Sequence, residues 1–161
     1  MLDDRDLKIL ALLQRDADMP AHAIAEQVAM SPSACSRRIV RLREEGYVLG
    51  TVAQLDRHRL DLDTTVYVIL RARHSGDWLE RFRTRIGDIP EILECHRLAG
   101  NFDYLLKVVV RDVGHYDEVY KRLIATLDLT DVSAYISMET IKDEHALPLG
   151  AALRPPRPAS R

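Results

Sequence analysis

Apolar positions in the first fifty residues recur every three or four places, the repeat of amphipathic helices rather than strands. Leu7, Leu10 and Leu13 form one such stripe and predict a helix over residues 4–14. Pro20 opens a second short helix over 21–28, with Ile24, Ala25 and Val28 inward. After the turn Ala29-Met30-Ser31 comes the most informative stretch of the chain, SPSACSRRIVRLREEGY at 31–47. Ser31 can cap a helix, and Pro32 suits its first turn, where no amide hydrogen is needed. Cys35, Ile39 and Leu42 then share one face, while Ser33, Ser36, Arg37, Val40 and Arg41 fall on or near the opposite one. Gly46 supplies a left-handed stop. Residues 47–52 are rich in β-forming side chains and are expected to form a small wing strand.

Residues 53–63 (AQLDRHRLDLD) mix polar and apolar positions and read as a connector, which places a domain boundary there. Beyond it the repeat changes. Residues 64–72 (TTVYVILRA) form a strand, and Trp78, Leu79, Phe82 and Ile86 mark a helix. Residues 92–98 form a second strand, closed by Gly100-Asn101, and residues 104–110 (YLLKVVV) a third. Tyr116, Val119, Tyr120, Leu123, Ile124 and Leu127 mark another helix, and residues 132–141 a fourth strand. The order βαββαβ is that of a split ferredoxin-like unit, whose two helices cover one face of a four-stranded antiparallel sheet. Successive strand residues point to opposite faces, so Tyr67, Ile69 and their neighbours cannot all pack under the helices. The expected remedy is a two-fold homodimer that buries the open face; the alternative is a monomer with a modestly apolar exposed sheet. The predicted class is α+β: a helix-turn-helix domain over 1–52, a linker over 53–63, a ferredoxin-like domain over 64–145 and a tail over 146–161.

Composition narrows the partners. Of 161 residues, 47% are hydrophobic, enough for one large or two small cores. A formal net charge of -2 argues against a protein that coats nucleic acid indiscriminately, yet leaves room for a local basic face. Cys35 and Cys95 lie in apolar-patterned segments and are expected to be small buried residues rather than a disulfide, which suits a reducing compartment. Asp3, Asp4 and Asp6 stand where a secretory signal needs positive charge, and no apolar run reaches membrane-spanning length. A cytoplasmic protein with no membrane attachment is expected. Residues 153–161 (LRPPRPASR) carry three prolines and three arginines, a composition that predicts disorder.

Two places carry candidate chemistry. Arg37, near the N-terminal end of the third helix, can present its planar fork to guanine O6 and N7, a contact worth ~1–3 kcal/mol of discrimination. Ser33 and Ser36 can reach bases or phosphates, and Arg38 and Arg41 flank the face where phosphates would fix register. A solvated helix face would carry the same residues, and this helix alone leaves the two readings evenly matched. In the second place, Gly100 allows a backbone conformation that residues with a Cβ resist, and leaves its amide open to a carboxylate. Asp103 offers a partner for an ammonium group, so the pair would suit an amino-acid zwitterion. A plain hairpin turn explains Gly100-Asn101 more simply. Cys95 and His96, adjacent on a strand, point to opposite faces, so no metal site is expected there. No nucleophile–base pair, phosphate loop or paired carboxylates stands out, which leaves general catalysis without support.

Three segments together resemble one family. LDDRDLKILALLQRDA at 2–17 is similar to the opening helix, and MSPSACSRRIVRLREEGYVLG at 30–50 to the recognition helix and wing, of the leucine-responsive regulatory protein/AsnC (Lrp/AsnC, feast/famine) transcription regulators. ECHRLAGNFDYLLKVVV at 94–110 resembles the signature of their effector domain. This third segment, with Cys-His followed by Gly and Phe-Asp-Tyr at fixed spacing, is the most specific, and the match is colinear from residue 2 to about 149. The resemblance implies an N-terminal winged helix-turn-helix and a C-terminal ferredoxin-like, RAM/ACT-like effector domain that dimerises through its sheets. Dimers would assemble into tetramers or octamers. It implies sequence-specific binding of double-stranded DNA at near-palindromic sites through Ser31, Ser33, Ala34, Ser36, Arg37, Arg38 and Arg41. It implies an amino acid or related small molecule as effector, with no cofactor beyond it, bound where dimers meet. The residues carried over for that site are Arg97, Leu98, Gly100, Asn101, Asp103, Val113, Tyr135, Ile136 and Ser137. Asn101 stands where many members have Asp, Ala34 where many have Pro, and Arg97 where an aliphatic residue is frequent. Neither the DNA sequence read nor leucine as the effector carries over.

Two other readings keep the fold. One is an enzyme of the sirohaem decarboxylase type, which needs histidines converging on a tetrapyrrole; the six here (His22, His58, His74, His96, His115, His145) are scattered along the chain. The other is an amino-acid-binding assembly module that does not touch DNA.

Overall fold

Three short helices share one apolar core in the computed structural model, which describes residues 2–74, 76–125 and 127–149. The first, α1 (Asp4–Arg15), opens with a capping box: the Asp3 side chain accepts from the Asp6 amide at 2.8 Å, and the Asp6 side chain from the Asp3 amide at 3.1 Å. α2 (Ala21–Gln27) follows Pro20. α3 (Pro32–Glu44) begins at Ser31, whose hydroxyl accepts from the Ala34 amide at 3.3 Å. Gly46, at φ +77°, ends it, and the Tyr47 amide reaches back to the Leu42 carbonyl at 3.0 Å. Ile9, Leu10, Ile24, Ala25, Val28, Cys35, Ile39 and Leu42 are buried together, so the expected stripes fall inward. A seven-residue helix such as α2 has no stability of its own in water. Burying aliphatic side chains, at ~1.5–3 kcal/mol each, is what holds it.

The expected wing strand does not form. Residues 47–52 are irregular, with Leu49 99% and Val52 90% exposed, because no neighbouring strand among the described residues supplies the ladder that a lone strand lacks. Residues 142–149 return instead to this helical unit. Leu149 packs against its core, and Gln14 clamps Leu147, accepting from its amide at 2.6 Å and donating to its carbonyl at 3.3 Å. The second unit accordingly spans 55–141, where the sequence pattern placed the boundaries at 64 and 145. The tail at 153–161, expected to be disordered, lies outside the described residues.

The second unit follows the order β1 (Thr64–Ala72), α4 (Trp78–Gly87), β2 (Ile92–Arg97), β3 (Tyr104–Val110), α5 (Val113–Ile124) and β4 (Leu129–Ile136). Its antiparallel strands stand in the order β2-β3-β1-β4. Pairing of Val66 with Val108 and of Val68 with Leu106 lines up one face of β1 and β3. Trp78 and Phe82 of α4 and Val119 and Leu123 of α5 close that core. Trp78 stacks on Phe82 at 4.7 Å between ring centroids, and Tyr104 completes the aromatic group.

The opposite face carries Tyr67, Ile69, Leu105, Lys107 and Tyr135, with Tyr67 opposite Lys107 on one side and Tyr135 on the other. Tyr67 and Tyr135 are 38% and 56% exposed, so the helices leave this face open as the alternation requires. β4 begins at Leu129, three residues before the expected start, and ends at Ile136 rather than 141. Its length is set by β1: Leu129 meets Ala72 across a bulge, and Ile136 meets Val66. The expectation for Cys95 also needs correcting. Cys35 is buried, but Cys95 is exposed, because β2 is an edge strand whose residues after Ile92 are all uncovered. No helix among the described residues is long and apolar enough to cross a membrane.

Candidate DNA interface and effector site

The outer face of α3 separates into residues held by α1 and residues left to solvent. Ser31, Ser33, Ser36 and Arg37 are exposed, and Ala34 is half-buried between them. Arg37 makes no ion pair among the described residues. Arg38 and Arg41 turn toward α1 instead. Arg38 Nη1 donates to Asp3 Oδ2 at 2.6 Å and to Asp6 Oδ1 at 2.7 Å. Arg41 Nη2 lies 2.7 Å from Asp6 Oδ2, an ion pair rather than an aligned hydrogen bond, and its Nε lies 4.0 Å from Glu45.

Asp6 at the centre of this cluster is 1% exposed. Burial by itself pushes its carboxyl up, but Arg41, the Asp3 amide and Arg38 together bring it down to about 2. The Asp6 amide and then Arg38 hold Asp3 below the usual carboxylate range. Asp6, and then Asp3, push the Arg38 guanidinium up. The two arginines expected at phosphates thus spend donors on α1, keeping 28% and 39% of their side chains exposed. Arg37 is left as the unengaged guanidinium on the N-terminal half of α3.

Sequence reasoning did not find this cluster, although a signal existed. Asp6 stands four residues before Leu10 and three before Ile9, on the apolar face of α1, where a carboxylate requires a buried partner. That the partners sit 32 and 35 residues later is a matter of packing.

The nine residues expected around an effector fall into two groups. Arg97, Leu98, Gly100, Asn101 and Asp103 lie in and beside the β2–β3 turn, where Gly100 takes φ +152°. Asp103 braces that turn: its Oδ2 accepts from the Ala72 amide at 2.9 Å, and its carbonyl accepts from the Leu98 amide at 2.8 Å. Arg71 donates to the Asn101 carbonyl and lies over the Phe102 ring. One oxygen of the Asp103 carboxylate is therefore committed to the bulge at Arg71/Ala72.

Tyr135, Ile136 and Ser137 sit at the other end of the sheet, where Ile136 faces Val66 and the Ser137 amide donates to the Thr65 carbonyl at 2.9 Å. Val113, which starts α5 just after Val110 has paired with Thr64, lies toward that same end. Arg97 is level with Leu70 and Ile136 with Val66, four residues or about 13 Å apart along the strands, and they lie on opposite edge strands, three spacings of ~4.8 Å apart, so about 20 Å separates them. Within one protomer, a molecule the size of an amino acid cannot touch both. Among the described residues, no group of three or more His, Cys, Asp or Glu is arranged to hold a metal ion.

Comparison with known proteins accounts for both units. Residues 2–48 match the winged helix-turn-helix DNA-binding family, and residues 65–147 match the Lrp/AsnC ligand binding domain. Over 149 residues the chain is 52% identical to the HTH-type transcriptional regulator Zrp of Zymomonas mobilis, covering 92% of this chain and 97% of that protein. The crystal structure of an AsnC family transcriptional regulator from Agrobacterium tumefaciens superposes with a TM-score of 0.90 at 40% identity, over 94% of this chain and 100% of the other. The transcriptional regulator NMB0573 from Neisseria meningitidis, solved as a complex with L-Met, also gives 0.90, at 29% identity, over 95% of this chain and 100% of its own. Matched in order over both units, the chain belongs to the Lrp/AsnC family of transcriptional regulators.

Proposed function

We propose that the chain is a sequence-specific DNA-binding regulator that acts as a homo-oligomer in the cytoplasm and responds to an amino acid. The observation that carries the DNA half is the division of labour on α3. Its buried face is locked to α1 through Asp6, while Ser33, Ser36 and Arg37 project from its N-terminal end, the end that enters a major groove in helix-turn-helix proteins. Arg37 reads a base through its fork, Ser31, Ser33, Ala34 and Ser36 line the contact, and the exposed remainders of Arg38 and Arg41 approach phosphates. Two such helices in a two-fold dimer, spaced by roughly one DNA turn (~34 Å), would favour near-palindromic sites.

The open sheet face supports the dimer, since among the described residues Tyr67 and Tyr135 stay exposed on it and Ile69 and Leu105 are only half-buried. The effector half rests on the matched ligand-binding family and on the L-Met complex of the Neisseria relative. Because the two groups of candidate effector residues lie at opposite ends of one sheet, a shared site would combine residues of different subunits, as in dimers meeting to form tetramers or octamers. An effector bound there would favour one assembly over another and so change how the DNA-reading helices are spaced. The enzymatic reading would need histidines converging on one site, and among the described residues the six histidines lie in separate elements and loops.

Selection of bound fragments from genomic DNA, followed by gel shifts, tests the reading. The wild type should retain a discrete set of fragments. Arg37→Ala should lower affinity for them by about ten- to a hundredfold, leaving binding to scrambled duplex and the oligomer size unchanged. Equal affinity of the two proteins for the selected fragments would remove Arg37 from the reading set.

A further inference from the structure

We propose that a cavity within the helical unit, between α1, the C-terminal end of α3 and residues 145–149, binds a small organic monocarboxylate with an apolar body, its charge held by Arg43. The site is distinct from the candidate effector residues, all of which belong to the sheet unit.

The first support is size and lining. The cavity measures about 390 Å³, and small-molecule sites run to ~300–1,000 Å³. Leu10 and Leu13 of α1, with Val48 and Leu149, give it an apolar wall continuous with the core that the three helices share. Leu147 lines it as well. Gln14 holds the Leu147 backbone through both amide and carbonyl, at 2.6 and 3.3 Å, so residues 145–149 are fastened to α1.

The second support is charge. Residues 1–54 and 142–149 hold ten Asp and Glu, yet none of them lines the cavity. Arg43 does line it, and its guanidinium makes no ion pair or hydrogen bond among the described residues. Arg38 and Arg41, earlier on the same helix, are by contrast bound to Asp6. His145 also lines the cavity, but its Nε2 lies 3.5 Å from Asp143 Oδ1. Arg43 is therefore the cation free to take an anion at this wall.

The third support is the chemistry such a set can satisfy. A carboxylate offers two oxygens to the guanidinium fork, and an apolar body covers the leucines. An amino-acid zwitterion fits worse, because its ammonium group would find no carboxylate in the lining. A phosphate ester would bring a second negative charge for which the lining supplies no second guanidinium or ammonium. A ligand held here would touch α1, the end of α3 and residues 145–149 together, and so would stabilise the folded helical unit.

The test is isothermal titration calorimetry of the full-length protein with decanoate, kept below the concentration at which it forms micelles. Decylammonium, a cation on a chain of equal length, serves as the comparison. Decanoate should saturate one site per subunit, and decylammonium should not. Arg43→Gln should weaken decanoate by about ten- to a hundredfold, the loss expected for a hydrogen bond to a charged group. Ala17→Phe sets a ring into the cavity from an exposed position after α1, and should block decanoate with Arg43 still in place. Matching thermal melts establish that both variants are folded. A wild type that shows no saturable decanoate binding, or that binds the two chains equally, would overturn the proposal. Undiminished binding by Arg43→Gln would overturn the charge selection on which it depends. Undiminished binding by Ala17→Phe would place the chain elsewhere on the protein and overturn the site.

Discussion

Replacing Asp6 by asparagine keeps its shape and removes the charge that joins α1 to α3. The carboxylate is buried and accepts from the Asp3 amide, while Arg38 and Arg41 both lie 2.7 Å from it. Holding it at about 2 against an ordinary value of 3.8 corresponds to about 2 kcal/mol of stability at neutral pH. Breaking a fully buried ion pair costs ~3–5 kcal/mol. Here Arg38 and Arg41 keep 28% and 39% of their side chains exposed and regain water when released, so the smaller figure applies.

The pH dependence follows from the direction of the shift. A carboxyl lower in the folded state than in the unfolded one stabilises fully above 3.8, and that contribution disappears as pH falls through about 2. Urea unfolding followed by far-UV circular dichroism should show Asp6→Asn about 2 kcal/mol less stable at neutral pH, with the gap closing across that acidic window. Trp78, the one tryptophan, is buried in the sheet unit, so its fluorescence transition should move little. A neutral-pH gap under about 0.5 kcal/mol, the scatter of ordinary surface substitutions, would refute the role given to Asp6. So would a gap that persists undiminished at the lowest pH.

The sheet face and the turn offer further tests. Tyr135→Asp, on the open face opposite Tyr67, should shift sedimentation toward smaller species with the melt of the isolated subunit unchanged; an unaltered size would place the interface elsewhere. Asp103→Ala removes the acceptor for the Ala72 amide and the negative charge beside Gly100, so it should weaken or abolish heat of binding for any amino acid found by thermal-shift screening. Full calorimetric binding by a folded Asp103→Ala protein would discard that carboxylate. Leu106→Ala, in the centre of the sheet core, should cost about 2–5 kcal/mol and lower the Trp78 transition; a loss under about 1 kcal/mol would contradict the packing described for that layer.

Most element boundaries were legible because they depend on local pattern. β1 and β3 fall where their β-branched and apolar-rich runs put them, at Thr64–Ala72 and Tyr104–Val110. α3 starts at its Ser-Pro cap and stops at Gly46, features that act over four or five residues. β4 was placed late because its start is dictated by a bulge against Ala72, which nothing within 129–141 encodes. The wing failed for a related reason: β-forming residues at 47–52 express a preference that only a partner strand can satisfy.

What the amino-acid order alone determined is the inventory: which helices and strands occur, which face of each is apolar, and, through the 94–110 signature, the family. These follow from periods of two and 3.6 residues and from cap chemistry, all contained within single elements. Only the tertiary structure decided that Asp6 claims Arg38 and Arg41, that Gln14 holds Leu147, that Cys95 lies on an uncovered edge, and that the candidate effector residues sit at two ends of one sheet. Each of these depends on how apolar faces stack and which strands become neighbours. Stacking brings together groups tens of residues apart, such as Gln14 and Leu147 at a separation of 133, for which local periodicity carries no information.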